Sequence, residues 1–422
     1  MKLSPFGIIF LFLLILNVAS ISSLNPNLNL NLNLNLNLNL NLNPIYAQGT
    51  NPQQLIGVNM LGYYTSLPQT RDFKNPFPDN YYDQSFKILK DGGMNHVRYV
   101  YYWESYVKNP IAFINELKFV AILADKYGLK IIYDNHQFHT SSWLNPQRGT
   151  GFPTFLFQNN SKYPYGSGGG PTYPSAAAWW TDWWNRGIKD ANGTDGWNLQ
   201  AQFLKKVVSI VDSHPSTVGY EILSEPQVHS VDQWEKIGKY NTLMTDEMRK
   251  VTQKHIIYSM TIPVDLKSNI GVNATNLAKM APANKTNTLF KFSIYGLPSP
   301  GSYQEQRLNM FVTAGNLSGV PVYIGEWNNV ARDKVINEEG DFVYEINPKT
   351  SDITPKDTTV ILKKFNQIDP YGWAFWYWNF RPHRVENFNL VTSDENGNLI
   401  PTKYFDILKN AVQSVYSGKN AK

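Results

Sequence analysis

From Leu55 onward the chain repeats one pattern of apolar and polar positions. A short apolar run gives way to a polar stretch containing Gly or Pro, and then to apolar residues at helical spacing. The runs are Leu55–Asn59, His96–Tyr101, Lys130–Asn135, Val218–Leu223, His255–Met260, Leu289–Ile294, Val320–Gly325 and Gly372–Trp376. Short apolar runs bounded by turn residues fit strands buried on both faces. Between them the spacing predicts helices over Ile111–Tyr127, Gln200–Asp212, Val231–Lys250, Tyr303–Ala314 and Thr358–Gln367. In the first of these, Phe113, Leu117, Val120, Ala121 and Ala124 make one apolar stripe, and Gly128 ends it. Strands alternating with helices predict a parallel sheet, and eight of them fit a single closed (β/α)8 barrel in the α/β class. A doubly wound sheet is the alternative, but the first strand has no glycine fingerprint after it. Gly166-Ser167-Gly168-Gly169-Gly170 lies far from any strand-to-helix turn, has no following Lys, and reads as a loop.

The N-terminus departs from this rhythm. Lys2, the apolar run Phe6 to Leu16 and the small residues Ala19 and Ser20 read as a signal peptide over residues 1–22. The run is short of the roughly 20 residues a spanning helix needs. An uncleaved anchor is the other reading, so the expected location is extracellular, or the cell surface if the segment stays. Residues 23–50 are a low-complexity linker in which Asn and Leu alternate almost without interruption. Period-2 alternation formally reads as strand, yet such a segment has no core to pack against. Tyr46-Ala47-Gln48 offers a second cleavage point. The remainder, 51–417, reads as one catalytic domain.

Composition narrows the class. There is no cysteine, which excludes disulfides and thiolate chemistry. The net charge of +5 carries no Lys/Arg block in the folded part, so no nucleic-acid partner is expected. Aromatic residues make up 14%, including 12 Trp and 25 Tyr, and aromatic faces are what sugar rings stack on. Five N-x-Ser/Thr sequons begin at Asn159, Asn192, Asn273, Asn284 and Asn316 and would permit glycosylation outside the cell.

Two glutamates carry the candidate chemistry: Glu225 in Gly219-Tyr220-Glu221-Ile222-Leu223-Ser224-Glu225-Pro226, and Glu326 in Val322-Tyr323-Ile324-Gly325-Glu326-Trp327-Asn328. A carboxylate at the tip of a core strand is costly to ionise among apolar neighbours. Two that face each other can cleave a glycosidic bond. Barrel enzymes gather functional residues at the C-terminal ends of strands, where Arg98, Asp134, His136, Glu225, Tyr295, Glu326 and Trp376 are expected.

With Val97-Arg98, Asp134-Asn135-His136-Gln137, Glu225-Pro226, Tyr295, Gly325-Glu326-Trp327 and Trp376-Tyr377-Trp378-Asn379 in that order, the chain resembles glycoside hydrolase family 5 over about Leu55 to Tyr416. The resemblance implies Glu225 as general acid/base and Glu326 as nucleophile. It implies Arg98 and Tyr295 as supports of the nucleophile, His136 as a sugar-binding histidine and Trp376 as an aromatic floor. A charged Glu326 close by would keep Glu225 protonated for its acid step. The sequence departs from the family pattern twice. Ser224 stands where Asn usually contacts the sugar 2-hydroxyl, and Ser293 stands where His usually precedes the strand-6 Tyr.

Other residues are read more plainly. Glu221 shares strand parity with Glu225 and reads as a buried structural acid paired with Arg98. Trp376 and Trp378 are expected to face the mouth while Trp373 packs outward. Asp134, His136 and His139 lack metal-ligand spacing, so neither a metal nor a cofactor is expected. Asp394-Glu395-Asn396-Gly397-Asn398 reads as a hairpin turn. The insertion from Phe138 to Trp197, with Trp179, Trp180, Trp183, Trp184 and Trp197, either walls the cleft and supplies sugar platforms or packs on itself as a cap. Its layout is similar to the family's glycolipid-cleaving branch. The expectation is a secreted, monomeric, retaining hydrolase acting on an oligo- or polysaccharide, a β-glucan or mannan. A glycan-binding surface protein with lost turnover is the competing reading, motivated by Ser224 and Ser293.

Overall fold

Apolar strands buried on both faces need a layer on each side, and the chain supplies both by closing the sheet on itself and wrapping it in helices. The computed structural model describes residues 54–66, 80–147, 149–157, 161–262, 270–329, 332–336, 342–346, 353–379 and 389–416. The expected signal peptide and linker, and the sequon at Asn159, lie outside these residues. Strands β1 (Leu55–Leu61), β2 (His96–Tyr101), β3 (Lys130–Asn135), β4 (Thr217–Glu221), β5 (His255–Ser259), β6 (Thr288–Tyr295) and β7 (Val322–Asn328) pair in parallel in chain order. A hairpin, β8 (Arg332–Ile336) with β9 (Phe342–Ile346), follows β7. The eighth barrel strand, β10 (Gly372–Phe375), then closes the ring between β7 and β1. The fold is the expected (β/α)8 barrel. A last hairpin, β11 (Val391–Ser393) with β12 (Leu399–Pro401), turns at Asp394, whose carboxylate accepts from the Asn396 and Asn398 amides. No helix among the described residues is long and apolar enough to cross a membrane.

The helices fall where the apolar spacing puts them, with ends fixed by caps. Asn109 accepts from the Ala112 amide to start Pro110–Tyr127, which Gly128 ends at φ 65°. Ser302 caps Tyr303–Ser318, which runs past the expected end at Ala314 to a left-handed Gly319. At the barrel floor Leu55, Ile132, Ile257, Leu289 and Tyr323 form a separate apolar plug. The polar residues occupy the layers above it.

The insertion after β3 folds as a self-packed cap. Its helix Pro174–Trp184 buries all four of its tryptophans. Trp179 stacks on Trp183 at 5.2 Å and on Phe157 at 4.8 Å, with Phe152 against Trp179, Trp180 and Trp183. Trp197 donates its indole N–H to the Trp183 carbonyl, and Trp184 donates to the Gln227 carbonyl, which docks the cap on the β4–β5 side. The five tryptophans are therefore core, and the sugar-platform expectation for them is corrected. The spacing of four of them along one helix, with Trp197 packed on from the next, lets them bury together, which removes more apolar surface from water than separate exposure at a rim.

A second correction concerns Trp378. Trp373 packs outward as expected, against Trp327 and Tyr416. Trp378 also leaves the mouth: it is buried, donates to Ser85 Oγ and packs on Phe405. Strand β10 ends at Phe375, so two-residue alternation does not extend to Trp378.

Trp179→Ala should cost about 3–5 kcal/mol of stability by chemical denaturation, as expected for a large buried side chain. Tyr165→Ala, at a residue 65% exposed in the same insertion, should stay within about 0.5 kcal/mol. Equal small effects would mean that the tryptophans are not a packed unit.

Candidate active site

Inward-facing positions of β2, β3, β4, β6 and β7 bring charged groups together above the apolar plug. Arg98, in the middle of β2, is fully buried. Its guanidinium reaches Asp134 Oδ2 at 2.8 Å, Glu221 Oε2 at 2.8 Å and Glu326 Oε1 at 3.0 Å. It also donates to Asn59 Oδ1 at 2.8 Å and Ser224 Oγ at 3.0 Å. The expectation that Arg98 sits at a strand end is corrected: it starts lower and its length carries the fork upward. Glu221 pairs with it as expected, and burial, with Asp134 adding against Arg98 and Lys291, pushes the Glu221 carboxyl up to about 7.

Glu326 lies within β7 and its side chain is 4% exposed. Tyr295, the last residue of β6, donates its hydroxyl to Glu326 Oε2 at 2.6 Å. Lys291, four residues earlier on the same face of β6, reaches Glu326 Oε1 at 3.0 Å. Burial alone would raise the Glu326 carboxyl. Lys291 and Arg98, with His136 and the Tyr295 hydroxyl, override it and hold the group well below the usual carboxylate range.

Glu225 lies four residues past the end of β4, with its side chain 18% exposed. Its backbone takes φ 46°, in the left-handed region. The Ser259 hydroxyl accepts from its amide at 3.1 Å, and Gln137 donates to its carbonyl at 2.7 Å. Its Oε1 accepts from the Ser293 hydroxyl and stands 3.4 Å from Lys291 Nζ. The Oε1 atoms of Glu225 and Glu326 thus share one nitrogen neighbour. They cannot lie farther apart than its two distances laid end to end, roughly 6.4 Å.

The remaining sequence-derived residues fall around this pair. His136 is bound through Nδ1 to Asp134 Oδ2 at 2.8 Å and stacks on Trp376 with ring centroids 5.6 Å apart and planes 17° apart. Trp376 is only partly buried, and Asn328 holds its carbonyl at 2.9 Å. Ser224 is fully buried, and its hydroxyl accepts from Arg98 and from Lys291 at 3.1 Å. It braces the two cations beneath the carboxylates and does not open on the cleft. Among the described residues, no group of three or more His, Asp or Glu is arranged to hold a metal ion.

A family model, "Cellulase (glycosyl hydrolase family 5)", matches residues 50–381. The chain belongs to glycosyl hydrolase family 5. It is a glycoside hydrolase. An endoglycoceramidase of Hydra vulgaris is 26% identical over 203 residues, 40% of this chain and 36% of that protein, so the match spans about a third of the relative's length. Among solved structures, an endogalactoceramidase superposes with a TM-score of 0.62 at 16% identity, covering 85% of this chain and 80% of that one. Endo-glycoceramidase II from Rhodococcus sp., in a five-membered iminocyclitol complex, gives 0.57 at 15% over 84% and 78%. A triple mutant of an endo-beta-1,4-glucanase from Xanthomonas axonopodis pv. citri gives 0.55 at 15% over 86% and 99%. At these identities the structures share the fold.

Two members of this family 5 site escape the motif reading. Lys291 sits in the apolar run Leu289–Ile294, and it shares parity with Tyr295. A lysine on the inward face of a barrel strand is the signal that could have found it. Ser293 fills the place of the usual His yet still bonds Glu225. Asn59 is the other missed residue, its amide donating to the Gly325 carbonyl at 2.8 Å while its oxygen holds Arg98.

Removing Arg98 as Arg98→Met leaves three buried carboxyls short of their cation and should cost about 3–5 kcal/mol at pH 7. Glu221, already pushed up by burial, would then titrate further above its unfolded value. The variant therefore loses stability as pH rises through that range, and its deficit against the parent should be smaller at pH 5 than at pH 7. Denaturation midpoints at the two pH values check this. A deficit independent of pH would count against an electrostatic cause.

Proposed function

We propose that the protein is a retaining β-glycosidase working by double displacement, with Glu326 as nucleophile and Glu225 as general acid/base. The observation that carries this is the roughly 6.4 Å ceiling between their Oε1 atoms. Retaining enzymes hold the carboxyls about 5–5.5 Å apart, whereas inverting enzymes need roughly 6.5–9.5 Å to admit a water. In the first step the Glu326 carboxylate attacks the anomeric carbon as the bond to the leaving oxygen breaks, and the Glu225 proton passes to that oxygen. In the second, Glu225 takes a proton from water, whose oxygen attacks the same carbon and releases Glu326. Arg98, Lys291 and Tyr295 keep Glu326 anionic for the attack. His136 and Trp376 offer a stacked aromatic floor for the ring, and Ser224 supports the cations.

For the substrate, we favour a β-linked oligosaccharide on an apolar aglycone, of the glycolipid kind. The Hydra vulgaris relative is an endoglycoceramidase, and Phe138, two residues past His136, leaves 49% of its surface exposed. A β-glucan or mannan is the second reading, supported by the motif resemblance. The competing idea of a mere binder fits poorly with an acid and a nucleophile both held by dedicated partners. One barrel supplies every group, so we propose action as a monomer. Export to the cell exterior is proposed from the N-terminal sequence alone.

Glu326→Gln and Glu225→Gln should each lower hydrolysis by about 10³-fold or more with the fold intact by circular dichroism. Azide should rescue only Glu225→Gln, on substrates with activated leaving groups. Proton NMR of the first-formed sugar should show the β-anomer, and an α product would rule out double displacement. A panel of glycosylceramide, β-glucan, mannan and xylan with products identified decides the substrate. Turnover of β-glucan alone would refute the glycolipid reading.

A further inference from the structure

We propose that Lys291 is a positioning residue for the nucleophile: its ammonium, seated beneath Glu326 by the bare backbone of Gly325, sets the acid limb of the pH–rate profile. This rests on the retaining reading of the same site.

Strand β6 presents Lys291, Ser293 and Tyr295 on one face as three successive rungs. The lowest rung touches both glutamates, the middle one touches Glu225 and the top one touches Glu326. Lys291 is fully buried, and its Nζ lies 3.0 Å from Glu326 Oε1, 3.4 Å from Glu225 Oε1, 3.1 Å from Ser224 Oγ and 3.8 Å from Glu221 Oε1. Strand β7 is built to admit it. Phe292 pairs with Ile324 and Ser293 with Glu326, so Gly325 is an extra residue in the ladder. A Cβ on Gly325 would come within 2.5 Å of Lys291 Cε and 2.6 Å of Cγ. Bare backbone at that point is what lets the lysine stem cross under the nucleophile.

The charges facing Lys291 come from every side. Glu221 and Glu225 approach from β4 and the turn after it, and Glu326 from β7. Arg98 approaches from β2, with Asp134 of β3 behind it. Two cations thus serve four carboxyls. Lys291 stays charged: burial would lower its pKa, but Glu326, with Glu225 and Glu221, outweighs both burial and Arg98 and raises it. A fixed cation beside a carboxyl favours its ionised form. That helps Glu326, which must be anionic, and lets the attack run at lower pH than it would without the lysine.

The test replaces Lys291 by Met, which keeps the stem and removes the charge. Carboxyl ¹³C NMR titrations of the parent and Lys291→Met, with Glu326→Gln to assign the resonance, read the nucleophile without needing turnover. The Glu326 midpoint should rise by at least about one pH unit. The acid limb of the kcat/KM profile should rise with it, and Lys291→Arg should return it toward the parent whatever its rate. An unmoved midpoint with lowered activity would overturn the proposal and leave Lys291 a packing residue. If Lys291→Met fails to fold, Gly325→Ala, which pushes the stem aside, is read in the same titration, with the same direction expected and the same null outcome decisive. A parent that cleaves no glycan sinks the retaining reading, while the titration still decides Lys291.

Discussion

A guanidinium sealed inside the barrel is the constraint on which the rest depends. Arg98 has no access to water, so the cost of its burial has to be offset entirely by protein groups. Asp134, Glu221 and Glu326 supply the opposite charge, and Asn59 and Ser224 take further hydrogen bonds. These partners come from β1, β3, β7 and from β4 and its following turn, so satisfying one side chain fixes the upper layers of half the barrel. The arrangement also explains why a carboxylate anion survives in a dry place. Glu326 is as buried as its neighbours, and only because two cations already stand there is its anion the stable form. Stability and reactivity are one arrangement here.

The layering beneath follows from the same economy. Strand alternation gives each barrel strand an inward set, and the inward residues change character with height. Leu55, Ile132, Ile257, Leu289 and Tyr323 fill the floor with apolar volume. One layer up, charge begins. A barrel whose interior were polar throughout would expose its cations to water from both ends and weaken every contact that Glu326 relies on. The plug closes one end, and Trp376, stacked on His136, stands at the other, where a sugar is expected.

Much of this was legible in the sequence because it rests on local pattern. All eight barrel strands were readable, since a doubly buried strand needs a continuous apolar run, and six motif positions fixed their order. Glu221 reads as a buried acid that needs a base such as Arg98, and the two are paired. What failed depends on contacts that no local pattern encodes. The tryptophans of the insertion are equally able to line a cleft or to fill a core, and only the tertiary packing of Phe152, Phe157 and Tyr240 against them decides for the core. Trp378 was misplaced because alternation was carried past the end of β10. Lys291 is hidden for the opposite reason: it lies in a run whose neighbours are apolar, and such a run reads as strand whatever its single charge does. A buried lysine needs anions, and two motif glutamates were already known to want a shared place.

The placement of Glu225 shows how the backbone completes the site. Were β4 to continue, the residue four past Glu221 would be carried straight up and away from β7. Instead the chain bends after Glu221, and Glu225 adopts a left-handed conformation that a β-unbranched, non-glycine residue enters at a cost of order 1–3 kcal/mol. The surrounding structure holds it there from both sides, with Ser259 on its amide and Gln137 on its carbonyl. Gln137 itself belongs to the turn after β3, next to His136, so His136 and Glu225 are held by one connected stretch of chain. The bend turns the carboxyl toward Ser293 and Lys291 and keeps part of it open to solvent, which Glu326 is not. That difference in exposure suits the two jobs proposed for them: a general acid/base has to exchange protons with the medium once per cycle, whereas a nucleophile has only to stay charged.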